Sequence, residues 1–202
     1  MSEIKANKLS PATGVGLQLG DASDVITIPS NCTITNNGTA NGFGGGKLLQ
    51  VVQTVVTAAT FSTTSSSFVD ATGLTVTTGA LATTGSKLLI TVHATLAGSN
   101  SSSDPAGRLH VSAGTANPIL GDAVGSRTQA TSVMYSATND HSNILSFSYL
   151  TPALGVTSAV TCKLEVRINN GATMYMNRQS SDADNSHSTR LTSSITAMEI
   201  GA

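Results

Sequence analysis

The chain has 202 residues and a formal net charge of −1, with 39% hydrophobic, 10% charged and only 3% aromatic residues. No run of Lys or Arg exists that would neutralise a phosphate backbone, which excludes nucleic acid as a partner. No apolar stretch approaches the ~20 residues of a membrane helix, and the start Met1-Ser2-Glu3-Ile4-Lys5 lacks the apolar core of a signal peptide. Neither membrane insertion nor signal-directed export is expected.

Charged residues make up about 25% of an average soluble domain, so Ser, Thr, Asn and Gly must keep this surface polar instead. A Thr-, Val- and Gly-rich chain favours strands and turns over helices. With no Trp, four Phe and three Tyr, small aliphatic side chains must fill the interior, at ~1.5–3 kcal/mol for each one fully buried. Such a chain gains further from burying surface against copies of itself.

The first 46 residues read as short strands between turns. Val25 to Ile28 meets Pro29-Ser30, and Cys32 to Thr35 runs into Asn36-Asn37-Gly38. From residue 26 to 34 the even positions place Ile26, Ile28, Cys32 and Ile34 on one narrow apolar face. Strands this short cannot form a core alone. The economical solution packs these faces from several chains around a common axis, as an intertwined stalk. Gly42 to Gly46 then serves as a hinge; ahead of Lys47 it lacks the spacing and the Ser or Thr of a phosphate-binding loop.

From Lys47 to the end, a series of longer strands is expected. They are placed at 48–57, 60–69, 74–78, 87–96, 108–113, one or two within 116–140 around 127–136, 143–150, 158–168, 172–179 and 189–200. The turn Asp70-Ala71-Thr72-Gly73 separates two of them. The segment 87–96 alternates most cleanly, with Leu88, Ile90, Val92, Ala94 and Leu96 on one face. Cys162 keeps step with Val160, Leu164, Val166 and Ile168, the buried parity of a strand, so it reads as a small hydrophobe. Asn169-Asn170-Gly171 between alternating segments signals a hairpin. The spacing of turns fits a β-sandwich of jelly-roll type. The expected architecture is all-β, with a stalk over 1–46 and a sandwich head over 47–202.

Chemistry is sparse. There is no nucleophile elbow and no Cys–His arrangement of recognised spacing. Cys32 and Cys162 have no partners at zinc-ligand spacing. Asp182, Asp184 and His187 share one polar loop but lack the Gly and terminal Glu of a calcium loop. Glycan cleavage needs paired carboxylates across a groove, and acidic residues are scarce. The chain is therefore expected to be non-enzymatic and to hold no cofactor or metal. Arg178, Asp182, Asp184, His187 and Arg190, clustered around that loop, are the candidate residues for contact with a host-surface glycan.

The opening SEIKANKLSP and the run GLQLGDASDVITIPSNCTITNNGTANGFGGGKLLQVVQT resemble tail-fibre-like virion proteins of marine bacteriophages, those of cyanobacteria and similar ocean hosts among them. SKLLITVHATL, GDAVGSRTQAT, ATMYMNRQSSDADNSHSTR and SSITAMEI extend the resemblance over nearly the whole chain. It implies a trimeric virion component, assembled in the bacterial cytoplasm, that joins other virion proteins through its N-terminal segment and carries a β-rich head. It transfers no functional residues. The chain's shortness points to a short tail fibre or spike component, with a capsid decoration protein (cement or head fibre) as the alternative.

Overall fold

The computed structural model describes residues 47–135 and 141–201, together with 21, 23, 25, 27 and 29–32. The chain divides into two compact units, Met1–Phe43 and Gly44–Ala202. In the first, a turn closes through the Cys32 N–H on the Pro29 carbonyl at 3.3 Å, and Cys32 is exposed. Ile26, Ile28 and Ile34, the other members of the expected stalk face, lie outside the described residues.

The second unit is all-β, as its composition requires. Its strands are β1 (Leu48–Val56), β2 (Ser62–Thr63), β3 (Val69–Thr77), β4 (Lys87–Gly98) and β5 (Ala106–Val111), followed by β6 (Ser132–Val133), β7 (Asn143–Leu150), β8 (Thr161–Arg167), β9 (Met174–Met176) and β10 (Ser193–Ile200). Two sheets pack face to face as a β-sandwich. Sheet A runs β1-β10-β4-β9-β2 with β7 on the other edge of β4; sheet B runs β3-β8-β5-β6. Every pairing between them is antiparallel.

Alternation decides which side chains meet between the sheets. Leu88, Ile90, Val92, Ala94 and Leu96 of β4 are all fully buried, facing Leu109, Cys162, Leu164 and Val166 of sheet B, also fully buried. Burial in this apolar layer pushes the Cys162 thiol up to about 12, so it stays protonated and inert. Gly107 sits where the layers approach most closely, since a Cβ there would lie 2.8 Å from Leu145 Cδ1 and 3.1 Å from Leu164 Cδ1.

Three expectations need correction. The Asn169-Asn170-Gly171 turn forms, closed by the Ala172 N–H on the Asn169 carbonyl at 3.1 Å, yet it joins no hairpin. Both edges of β8 are already taken by β3 and β5, so the chain crosses to sheet A, where β9 pairs with β4 and β2. The supposed turn at 70–73 lies inside β3. Ala71 and Leu74 are both buried although three apart, which strict alternation forbids. A register shift between Asp70 and Thr75 with Gly73 at φ +88° resolves it. Finally, the expected strands at 60–69 and 127–136 shrink to the two-residue β2 and β6.

Two buried polar groups fasten the sandwich. Asn177, left-handed at φ +64°, donates from Nδ2 to the Val56 and Ala58 carbonyls at 2.8 and 3.1 Å and accepts from Ser193 Oγ at 2.6 Å. Its N–H reaches the Thr95 carbonyl, and its own carbonyl takes the Leu191 N–H. Glu199, 1% exposed, accepts from Gln50 Nε2 at 2.6 Å and from the Ala82 N–H at 2.7 Å. Desolvation pushes its carboxyl up, but hydrogen bonds from Gln50, Ser86 and Ala82 together outweigh it and hold the group below the usual glutamate range.

Asn177→Ala orphans two carbonyls and a hydroxyl in the interior, so we expect a loss of about 2–4 kcal/mol in urea unfolding; a loss below about 1 kcal/mol would contradict the clamp. Because the folded state binds the Glu199 proton less readily than the unfolded chain, the contribution of this carboxylate is present above the ordinary glutamate range and is lost as pH falls through the lowered folded value. Glu199→Gln should therefore flatten the acid limb of the stability–pH profile. Parallel profiles for the two proteins would count against the assignment.

Candidate functional site

Three polar places on the second unit have the makings of a contact site. The first is the loop after β9. Asp182 stands between two guanidinium groups, with Arg190 Nη2 at 2.9 Å and Arg178 Nη1 at 3.7 Å. Arg178 and Arg190 face one another as an isolated antiparallel bridge, and the Arg178 guanidinium lies 3.9 Å over the Tyr175 ring. Three of the five residues singled out in the sequence thus come together. The Arg178–Arg190 bridge and the Asp182–Arg190 pair tie the two ends of the loop, and Arg178 also donates to the Gln179 and Ser180 carbonyls at its start.

His187 lies apart from that cluster. Its N–H bonds to Asn185 Oδ1 at 2.9 Å, and it lines an open depression of about 280 Å³ with Gln179, Ser181 and Asn185. Asp184 is exposed and joins neither group. Asp182 is held between its two arginines and offers its carboxylate oxygens in a fixed position. Among the described residues no three His, Cys, Asp or Glu side chains gather as metal ligands.

The second place was not visible in the sequence. The long connection between β5 and β6 folds back on itself: the Gly121 N–H bonds to the Ala130 carbonyl, Gln129 Nε2 to the Gly121 carbonyl, and Thr131 Oγ1 to the Ile119 carbonyl. It walls an open cleft of about 410 Å³ whose lining includes Asp104, Asp122, Arg127, Gln129, Arg167 and Asn169. Asp104 and Asn169 pair reciprocally, N–H to Oδ1 at 2.8 Å and Nδ2 to Oδ2 at 2.9 Å. The available signal was length, since a structureless run of this size in a compact domain is uncommon unless it serves a purpose.

The third is the outer face of sheet B. Glu165, 8% exposed, is bonded by Arg108 Nε and approached by His110 Nδ1 at 3.6 Å and Lys163 Nζ at 3.9 Å. Lys163 also holds Asp70 at 2.8 Å, and the Arg108 guanidinium covers the Phe68 ring at 4.3 Å. These charges satisfy one another across neighbouring strands, which makes the face a structural lattice more than a docking surface.

Pairs exposed like Arg190–Asp182 contribute only ~0.2–1 kcal/mol, so their role is to order the loop. Asp182→Ala should speed amide exchange across 178–190 several-fold while leaving the unfolding midpoint nearly unchanged. Unaltered exchange in that segment would remove Asp182 from this role.

No family model matches the sequence, and no curated protein matches it. Among solved structures, similarity is found to the structure of the infectious bursal disease virus Gx strain, at 15% identity and a TM-score of 0.31, covering 76% of this chain and 41% of that one. The chain spans less than half the length of that structure, and an overlap this loose adds no argument to the reading of the residues.

Proposed function

We propose that the chain is a non-enzymatic structural component of a bacteriophage particle, a short homotrimeric tail fibre or spike whose head is a jelly roll that contacts the host surface. The observation that carries the reading is the strand order. With β2 and β9 set aside, the remaining eight strands run first-eighth-third-sixth in sheet A and second-seventh-fourth-fifth in sheet B. That order arises when one long hairpin, pairing first with eighth, second with seventh, third with sixth and fourth with fifth, is rolled over onto itself. Jelly rolls serve as viral shell and lectin modules. A fold does not by itself fix a function, so the place on a particle rests on the resemblance of the opening segment and the head segments to marine phage proteins.

In this reading the N-terminal segment joins other virion proteins, and the head presents its polar loops outward. The cleft lined by Asp122, Arg127 and Asn169 and the loop of Asp182 and His187 supply donors and acceptors of the kind that saccharide hydroxyls require. No helix among the described residues is long and apolar enough to cross a membrane.

Gold-labelled antibody on purified particles, with copies counted by quantitative mass spectrometry, tests the address. Label at the tail with copies in the tens or fewer is expected, and particles lacking the protein should keep intact heads but adsorb poorly. Hundreds of copies spread over the shell would overturn the tail assignment in favour of a capsid decoration protein. Label on neither would remove the chain from the particle.

A further inference from the structure

The two outer faces of the sandwich differ sharply in charge. Sheet B carries Asp70, Arg108, His110, Lys163, Glu165 and Arg167 on its outward parity. Over the four strands β1, β10, β4 and β7 of sheet A the corresponding parity holds only Lys87 and His93 as ionisable groups. The strand register then puts apolar residues in line. Val51 lies opposite Met198, Met198 opposite Leu89, and Leu89 opposite Leu150, so one apolar stripe crosses all four strands β1, β10, β4 and β7. Leu48, opposite Ile200, extends it towards the start of β1. Val51 and Leu150 are 52% and 51% exposed.

The next row is polar and partly paired within itself. Gln53, Thr196, Thr91 and Ser148 stand in line across the same four strands. Gln53 Nε2 donates to Thr196 Oγ1 at 2.8 Å, and Thr91 and Ser148 share a hydrogen bond at 3.2 Å. Covering this row desolvates fewer unpaired groups than four separate polar side chains would present, so the cost that normally opposes burying polar side chains is reduced here. Four strands at ~4.8 Å spacing and about eight residues at ~3.4 Å give a plane on the order of 500 Å². With side chains projecting from it, such a plane approaches the ~800 Å² that each partner contributes to a standard stable interface.

We propose that the outer face of sheet A is the head's self-association surface and that its occupant is another copy of this chain. The inference rests on the homotrimer reading and deepens it by naming the face that the copies share. A second copy is favoured because the face over β1, β10, β4 and β7 carries an apolar stripe, is nearly free of charge and approaches the area that one partner contributes to a stable interface, and it gives an acidic or basic partner little to pair with.

The test uses the full-length chain. Sedimentation velocity should give a trimer for the wild type, and Val51→Asp/Leu150→Asp should weaken association at least ten-fold or leave monomers. Val124→Asp, an exposed apolar residue on the loop after β5, should leave the mass unchanged. A cooperative thermal melt confirms that each variant is folded. A second measurement uses milder changes: in Cys32→Ala/Ser148→Cys, which keeps position 32 small and apolar, the only reactive thiol is at 148, because Cys162 is buried and inert. Its maleimide labelling should slow at least ten-fold as concentration is raised into the trimer regime. A trimeric charge variant, or labelling that stays fast in the trimer, overturns the face and leaves the trimer standing. A monomeric wild type overturns the trimer reading itself.

Discussion

Strand β4 is hydrogen-bonded along both edges for almost its whole length. β10 takes Lys87–His93 on one side, β9 continues from Leu96 to Gly98, and β7 occupies Leu89–Leu96 on the other. Its five inward side chains are medium or small and wholly buried. Because the chain lacks large aromatics, cohesion has to come from such ladders and from a thin layer of aliphatic contacts. The layer is thin enough that β5 needs glycine at position 107. Removing water from one short side chain contributes little, so the fold depends on many of them sharing one unbroken plane.

A plane of that kind leaves its ends exposed to water, and two buried polar groups, Asn177 and Glu199, are found there. Asn177 joins the end of β1, the far half of β4 and the approach to β10. Glu199 joins β10 to β1 and to the connection before β4. Each replaces what a larger hydrophobic core would supply elsewhere. The exterior repeats the economy: charges are spent in one interlocking array on sheet B, and sheet A is left almost neutral.

Much of this was legible from residues alone. Alternation located Leu88 to Leu96, the burial of Cys162 with its neighbours, and β7 with its stated bounds. What alternation cannot show is which edge remains free. Asn169-Asn170-Gly171 has the chemistry of a hairpin turn, but whether its flanks pair depends on β3 and β5, residues distant in sequence. Gly73 looked like a turn for a similar reason, since a bulge and a turn draw on the same backbone freedom. At the candidate sites, Arg178, Asp182 and Arg190 were close enough in sequence to be grouped in advance. Asp104, Asp122, Arg127 and Asn169 meet only because three separate connections converge, and no local spacing announces that.

The pairing of β1 with β10 has a consequence for how the molecule is made. Residues 48–56 find their partners at 193–200, and Asn177 reaches back to Val56 and Ala58. During synthesis β1 emerges first and waits, with an unpaired edge and valines on both faces, while more than a hundred residues follow it from the ribosome. Closure of the sandwich is therefore a late event that depends on non-local pairing, the slow class of folding step. A low density of charge offers that waiting strand little protection. The cell that makes this protein in quantity has to shield it through the interval, or make it slowly enough that neighbouring nascent chains do not find one another first.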